Sequence, residues 1–465
     1  MVVRYGTDGD SSVLPDVRFK ILQGPVVHSK SLRALEVLPH AYLGVRSNGT
    51  IAFLRTFGTL EDAQTEPGFQ DAEISGLQPG QFLFPGLIDT HLHAPQWPNL
   101  GLGMEGSLRE WIENWTDPVE ASYSDTDKAE RVYQEVVKTT LLLGSTTVAY
   151  NSSMHAEATR ILAELCVRAG QRAIVGKMCV TQGSTSGNWE DSVEASLRDS
   201  QASLNHMRQL DSAKRLLHPS VMPRGGPYCP PDLMEGLGRQ SSDYLTHVQV
   251  HMCETASDID RALELHGADC YSDVYKTHGL FHSKTIAAHC IHLQPRDLEN
   301  LKHCRVGVAH NPNSNTCLRD GECKVRDLLD NGIKVGLGTD CSAGYSPSIL
   351  DAMRSASNVS RHLAVKENDE RYILSFSEIV YLATLGGAHV VDMAGSIGNF
   401  EVGKQFDALL IDTESVPSMD RTLWHSGRAG LDAMVKKWVF LGDDRSVRKV
   451  WVAGKLVAGH DKSKE

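Results

Sequence analysis

The middle of the chain, residues 82–391, alternates short apolar runs with amphipathic stretches of ten to twenty residues. This alternation predicts βα units whose strands form a parallel sheet. Eight of the apolar runs have the length and flanking turns of buried strands: 84–93, 145–151, 172–180, 218–224, 247–254, 285–290, 306–312 and 334–340. Eight such units predict a (β/α)8 barrel, a fold in which the C-terminal ends of the strands carry the chemistry.

Two of the amphipathic stretches have clear ends. Residues 125–143 are followed by Gly144, and residues 156–169 are followed by Gly170. Glycine is the residue that most often follows the last turn of a helix, because it adopts the left-handed conformation without strain. We therefore predict helices over these two stretches.

The two ends of the chain differ from its middle. Residues 17–81 are strand-like and rich in turns, with no evident helix, and Asn48-Gly49 between two apolar runs predicts a hairpin. Strand-like sequence returns after Gly395. We predict that the two ends pair into one small β-sandwich. The predicted domains are the N-terminal part of the sandwich, the catalytic barrel and the C-terminal part of the sandwich, over 1–81, 82–391 and 392–465.

Composition restricts the kind of partner. The 465 residues carry 46 basic and 58 acidic side chains, a net charge of -12, and such acidity disfavours binding to a nucleic-acid backbone. No apolar run approaches the roughly 18 residues of a membrane span, and no secretory signal is evident. Ten cysteines without a C-x-x-C pair fit reduced thiols. We expect a soluble cytoplasmic protein that acts on a small molecule and binds neither nucleic acid nor a membrane.

Polar side chains gather at the C-terminal ends of the predicted strands. They are His91, His93, Asn151, Arg224, His251, Glu254, His289, His310, Asn311 and Asp340. The two-residue spacing of His91 and His93 points both rings to one side of a strand. A lone H-x-H pair is as readily two ordinary strand histidines, but three imidazoles and a carboxylate at neighbouring strand ends suit zinc. Iron accepts the same ligands, so these residues leave the choice of metal open.

Several long motifs resemble the amidohydrolase superfamily. The first is PGLIDTHLHAPQWPN at 85–99, within which HAPQ at 93–96 resembles the guanine deaminases in particular. The other matching motifs lie at 26–49, 222–224, 309–315, 335–354, 383–389 and 397–412. The similarity extends over nearly the whole chain and is weaker around 100–215 and after 415.

The resemblance implies a metal-dependent barrel with a β-sandwich built from both chain ends, which agrees with the strand pattern. It also implies an activity, the zinc-dependent hydrolytic deamination of guanine to xanthine and ammonia. By motif match, one zinc ion is held by His91, His93, His251 and Asp340. A homodimer is usual among such enzymes.

The same motifs imply which side chains do the chemistry. The catalytic residues are Glu254, His289 and Asp340, with His289 and Asp340 beside the attacking water and Glu254 as a proton shuttle. The residues implied to contact the purine are Gln96, Arg224, Gly225, His251 and Glu254. Two of these have plainer interpretations, since Gln96 also suits a loop hydrogen bond and Arg224 a salt bridge at the barrel mouth.

The end of the fourth strand bears on the number of metals. Superfamily members with two metals usually bridge them with a modified lysine at that position, whereas this sequence has Arg224 there. An arginine stays charged and only donates hydrogen bonds, so it cannot form the bridge. One metal is therefore predicted, which favours deamination over the opening of a cyclic amide.

One departure from the guanine deaminase pattern leaves the substrate open. The aromatic residue that usually follows Arg224 is replaced by Gly225-Gly226, so Tyr228 or Trp97 is left to stack on the ring. A wider pocket that deaminates another amino-heterocycle, such as a pterin or a triazine, is the nearest alternative. A non-catalytic scaffold is a further one, although the intact set of ligands argues against it.

Overall fold

The computed structural model describes residues 2–3, 18–184, 186–213, 215–416, 419 and 427–459. The predicted sandwich therefore lies partly outside the described residues at both of its ends. The strands are β1 (Val2–Val3), β2 (Lys20–Ser31), β3 (Ala34–Val45), β4 (Ile51–Arg55), β5 (Glu73–Gly76), β6 (Gln81–Pro85), β7 (Leu87–His93), β8 (Ser145–Asn151), β9 (Arg172–Cys179), β10 (Leu217–Pro223), β11 (His247–Met252), β12 (Thr285–His289), β13 (Gly307–His310), β14 (Lys334–Leu337), β15 (Ala408–Asp412), β16 (Val447–Val452) and β17 (Lys455–Gly459).

The α-helices are α1 (Leu60–Gln64), α2 (Leu108–Trp111), α3 (Asp117–Ala121), α4 (Thr126–Leu142), α5 (Ala156–Ala169), α6 (Val193–Leu210), α7 (Pro231–Tyr244), α8 (Ala256–His266), α9 (Tyr271–Lys276), α10 (Pro295–Cys304), α11 (Pro312–Cys317), α12 (Val325–Asp330), α13 (Ile349–Glu367), α14 (Phe376–Tyr381), α15 (Gly387–Val390) and α16 (Gly427–Leu441). A 3-10 helix follows β7, and π-helical turns follow α2 and α14.

The eight predicted barrel strands are confirmed. Strands β7 to β14 pair in chain order, each parallel to its neighbours. The first and last strands meet through backbone bonds, because Asp340 N donates to His91 O at 2.9 Å and His93 N donates to Cys341 O at 3.0 Å. Asp89 supports this seam by accepting from Thr339 Oγ1 at 2.6 Å. The metal-ligand candidates on β7 and after β14 are thereby placed side by side.

The two predicted helices are confirmed, and their ends follow the expected capping chemistry. Helix α4 begins where the Asp125 carboxylate accepts from Lys128 N at 3.1 Å. Helix α5 ends at Gly170, whose φ of 75° is the left-handed value that glycine tolerates. Both helices pack their apolar faces against the core that surrounds the barrel.

The second sheet is built from both ends of the chain, as predicted. Its nine strands run in the order β1-β17-β16-β15-β6-β2-β3-β4, with β5 also paired to β2. Side chains from the two halves share one core, in which Leu43 and Leu83 from the N-terminal strands pack with Phe406 and Trp451 from the C-terminal part. The domain boundaries at 81 and 391 stay predictions.

The N-terminal flank contains one confirmed turn and one missed helix. β3 and β4 form the hairpin predicted at Asn48-Gly49, where Gly49 has a φ of 82°. The expectation of no helix between 17 and 81 was wrong, because α1 lies within that range. The reciprocal bonds between Thr59 and Asp62 cap its first turn, and their three-residue spacing is the signal that was available in the sequence.

Two apolar helical segments also pack into the fold. Helix α16 was not predicted, and its Trp438 ring lies 4.8 Å from the ring of Phe84 on β6. The statement that no apolar run approaches a membrane span was wrong, because the segment Glu370–Val390 has the length and apolarity of one. Its most apolar 18-residue window is 67% buried inside the protein, where α15 packs on β14. Core helices have the same properties, and the expectation of no membrane partner stays a prediction.

Candidate active site

The four predicted metal ligands meet at the C-terminal end of the barrel. His91 Nε2 lies 3.3 Å from Asp340 Oδ1, and His93 Nε2 lies 3.6 Å from the same oxygen. His93 Nε2 is 3.1 Å from His251 Nε2. The alternation of side chains along β7 brings His91 and His93 to the inner face, and β11 and the turn after β14 contribute the other two.

The electrostatics of this cluster suit a cation. Burial, followed by the neighbouring His91, lowers the pKa of both His93 and His251 well below the usual value. Burial alone would raise the pKa of Asp340, but His91 and His289 hold it well below its usual range. Neutral imidazoles and an ionised carboxylate are the forms that bind a divalent metal.

Three buried nitrogens in the cluster also lack a hydrogen bond among the described residues. They are His91 Nε2, His93 Nδ1 and His289 Nε2. The donor atoms of His91, His93 and Asp340 all lie within 4.8 Å of one another, and so do those of His91, His251 and His289. The residues therefore fit one metal ion, with His289 within reach of it as well as the four predicted ligands.

His289 connects the cluster to the two predicted catalytic carboxylates. Its Nε2 lies 3.5 Å from Glu254 Oε1 and 3.7 Å from Asp340 Oδ2, while Asn315 Oδ1 lies 3.0 Å from its Nδ1. His289 and Asp340 have φ values of 73° and 47°, a left-handed conformation that is uncommon outside glycine and recurs at functional sites. The three predicted catalytic side chains are thus brought together.

Glu254 has the properties of a proton carrier. It lies two residues beyond the end of β11 and is 9% exposed. Burial, and after it the charge of Asp340, raises the pKa of Glu254 well above its usual value. A carboxyl group whose pKa is raised keeps its proton to higher pH and can donate it.

The cluster forms the floor of a cavity that opens to solvent, and its atom-free space of about 600 Å³ includes part of that solvent. The predicted substrate contacts Gln96, Arg224 and Gly225 line it, together with Tyr228. Trp97 was the other candidate for stacking, but it is not part of the described lining and packs against the main core instead. Apolar residues that the sequence did not single out complete the wall: Leu108, Trp111 and Ile112.

Arg224 forms the salt bridge that its plainer interpretation predicted, and its contact with a substrate stays a prediction. Its guanidinium lines the cavity, and it is also salt-bridged, because Nη1 donates to Glu120 Oε2 at 2.5 Å and Nη2 donates to Asp117 Oδ1 at 3.0 Å. Asn188 donates to both carboxylates at 2.9 Å. Sequence reasoning missed Asp117 and Glu120, whose three-residue spacing on α3 is equally typical of an exposed helix face.

Comparison with known proteins agrees with this geometry. Residues 82–457 match the amidohydrolase family. The chain is 41% identical to a probable guanine deaminase of Schizosaccharomyces pombe, covering 95% of this chain and 84% of that protein. It is 37% identical to the guanine deaminase of Rattus norvegicus, with coverage of 94% and 96%.

The chain belongs to the amidohydrolase family. Among solved structures of this family, the guanine deaminase of C. acetobutylicum with guanine in its active site superposes with a TM-score of 0.86. That amidohydrolase is 30% identical and is matched over 95% of this chain and 100% of its own. The predicted barrel, and the second sheet formed from both ends of the chain, therefore follow the architecture of a known amidohydrolase.

Proposed function

We propose that the protein catalyses the hydrolytic deamination of guanine to xanthine and ammonia. The observation that carries the proposal is one cavity with a metal-ligand cluster and Glu254 at its floor and Gln96 and Arg224 in its wall. The similarity to guanine deaminases over nearly the whole chain supports it. A pterin has an amine and a carbonyl in a comparable arrangement and remains the second candidate.

His91, His93, His251 and Asp340 would hold one zinc ion, with His289 beside it. Bound zinc would lower the pKa of a water molecule to about 7 and so provide a nucleophile at neutral pH. The fourth barrel strand, β10, ends next to Arg224, which cannot bridge a second metal. These residues support one metal ion per chain.

The side chains around the cluster divide the proton transfers between them. Asp340 is held ionised and can accept the proton of the attacking water, and His289 lies 3.7 Å away to orient that water. Glu254 holds a proton and can donate it to the ring nitrogen beside the carbon under attack. Asp340 then passes the proton it accepted to the amine, which leaves as ammonia. The hydroxyl group on the same carbon returns its proton to Glu254 and becomes the new carbonyl of xanthine. Each such step contributes on the order of 10²- to 10⁴-fold.

The function is tested by measuring ammonia release from guanine, a pterin and an aminotriazine with the purified protein. We expect guanine to give the highest kcat/KM, with xanthine as the second product. Faster turnover of the pterin or triazine would assign the same chemistry to a different ring. Full metal loading with no ammonia from any of the three would contradict a deaminase.

Arg224→Ala is expected to raise the KM for guanine by about 10- to 100-fold, because hydrogen bonds to a charged group contribute roughly 1.5–3 kcal/mol. The guanidinium only donates, which suits the guanine carbonyl and opposes the amine of adenine. The ratio of kcat/KM for guanine to kcat/KM for adenine should therefore fall. Steady-state kinetics with both bases check this, with Arg326→Ala as a control, since Arg326 is another buried arginine paired to a glutamate. Unchanged kinetics for guanine, or equal turnover of both bases by the unmodified protein, would contradict it.

We also propose a cytoplasmic homodimer that acts in purine catabolism. The usual assembly of guanine deaminases supports the dimer, and ten free cysteines fit a reducing compartment. Sedimentation of the purified protein as a monomer at micromolar concentration would contradict the dimer.

A further inference from the structure

Glu120 joins the two polar side chains of the cavity wall. Its Oε1 accepts from Gln96 Nε2 at 3.0 Å, and its Oε2 accepts from Arg224 Nη1 at 2.5 Å. Asn188 Nδ2 also donates to Oε2, at 2.9 Å. Glu120 is 1% exposed, so one buried carboxylate holds the amide and the guanidinium next to each other.

This contact fixes which end of the Gln96 amide is available. A carboxylate only accepts hydrogen bonds, so the amide nitrogen must face Glu120 and the amide oxygen must face away. Gln96 is 4% exposed and lines the cavity, and its Oε1 has no hydrogen-bond partner among the described residues. A buried acceptor without a partner is costly, and a donor on the substrate would satisfy it.

We propose that Glu120 is a specificity-determining positioning residue. By holding the Gln96 amide in one orientation, it makes the cavity present an acceptor, Gln96 Oε1, beside the donors of Arg224. This pair is complementary to a ring N–H next to a carbonyl, the lactam edge of an amino-oxo-heterocycle. The inference rests on the proposed deamination of guanine and deepens it.

The pair distinguishes substrates that present their amine identically. Guanine has the lactam edge, whereas 2-aminopurine carries the same amine on the same carbon but has a ring nitrogen with a lone pair and no carbonyl. That lone pair would face Gln96 Oε1, and the Arg224 donors would lose their acceptor. A pterin shares the lactam edge, so this pair of wall residues would accept it. A triazine without a carbonyl lacks that edge, so the pair would disfavour it.

Glu120→Gln is expected to invert the orientation of Gln96. Arg224 and Asn188 both donate to Oε2, so the new amide must place its oxygen there and its nitrogen toward Gln96. Gln96 can then bond to that nitrogen only through its own oxygen, which turns its amide nitrogen into the cavity. The wall would now present donors only, which suits the ring lone pair of 2-aminopurine.

The test is the ratio of kcat/KM for guanine to that for 2-aminopurine. We expect Glu120→Gln to lower this ratio by about 10- to 100-fold, and Gln96→Ala/Glu120→Gln to show no further change over Gln96→Ala. Glu120→Asp keeps an acceptor-only group and should keep most of the preference. Glu378→Gln is the matched control, because Glu378 is also buried and paired to an arginine but lies outside the cavity wall. Metal content is measured for each variant, since His93 Nδ1 lies 4.0 Å from Glu120 Oε1.

An unchanged ratio in a folded, metal-loaded Glu120→Gln protein would overturn the proposal, as would an equal effect of this variant with and without Gln96. If Glu120→Gln does not fold, the unmodified protein is tested with 1-methylguanine, which lacks the ring N–H. A kcat/KM close to that of guanine would then overturn the proposal. Failure of the proposed function is distinguishable, because the unmodified protein would deaminate neither base. In that case calorimetry would measure the dissociation constants of guanine and 2-aminopurine, and the effect of Glu120→Gln on their ratio would test the proposal without turnover.

Discussion

Glu254→Gln is expected to lower kcat for guanine by about 10²- to 10⁴-fold while the metal content stays at one ion per chain. The change keeps the shape of the side chain and removes the proton that burial and Asp340 hold on it. Glu254 Oε1 faces His289 Nε2 at 3.5 Å and belongs to neither group of candidate metal donors. The effect should therefore fall on kcat more than on metal binding, as measured by steady-state kinetics and elemental analysis.

A matched control is available on the helix that follows. Glu264→Gln alters an exposed glutamate on α8, and we expect its kinetics to equal those of the unmodified protein. Loss of the metal together with activity in Glu254→Gln would show that Glu254 is a ligand and not a proton carrier.

Asp340→Asn is expected to remove the metal and the activity together, with a loss of about 10⁴-fold or more, because the residue has two assigned roles. Its Oδ1 lies within 3.6 Å of Nε2 of both His91 and His93, and its ionised form is the proposed proton acceptor. A neutral amide serves neither role well. The measurements are metal content after dialysis and kcat/KM for guanine, and Asp330→Asn on α12, a half-exposed aspartate, is the control.

The comparison of the two variants separates ligation from proton transfer. Asp340→Asn with full metal content and near-normal turnover would contradict both roles. Full metal content with lost turnover would leave only the proton transfer.

The barrel could be predicted because each of its strands can be recognised from a short stretch of sequence. Each buried parallel strand is an apolar run bounded by turns, and eight such runs in order allow few other folds. Helices α1 and α16 were missed for different reasons. The capping spacing of Thr59 and Asp62 was present, but it lies among many turn-forming residues that hide a short helix. Helix α16 is stabilised by the packing of Trp438 on Phe82 and Phe84, a contact that exists only in the folded sheet.

The metal cluster was predictable because a barrel brings the ends of all its strands to one face. Gln96, Arg224 and Gly225 in the cavity wall were predicted from the family resemblance. Trp111 in the wall, and Asp117 and Glu120 behind Arg224, were not, because they lie in the part of the segment between β7 and α4 where no motif was matched. The hydrogen bonds of Asp117 and Glu120 with Arg224 join positions more than one hundred residues apart, and the periodicity of the sequence gives no sign of them. Whether Trp97 or Tyr228 lines the cavity could not be decided from sequence, because it depends on how the loops after β7 and β10 pack.

The single metal site is tested most directly by titrating zinc into the metal-free protein and measuring guanine turnover at each step. The donor atoms of His91, His93 and Asp340 lie within 4.8 Å of one another, and His251 Nε2 lies 3.1 Å from His93 Nε2, so these four residues can share a single ion. Activity should therefore be lost on exhaustive chelation, rise linearly with added zinc, and reach its maximum at one equivalent per chain. Full activity of the chelated protein, or a maximum only at two equivalents, would contradict a single metal site as the centre of this chemistry.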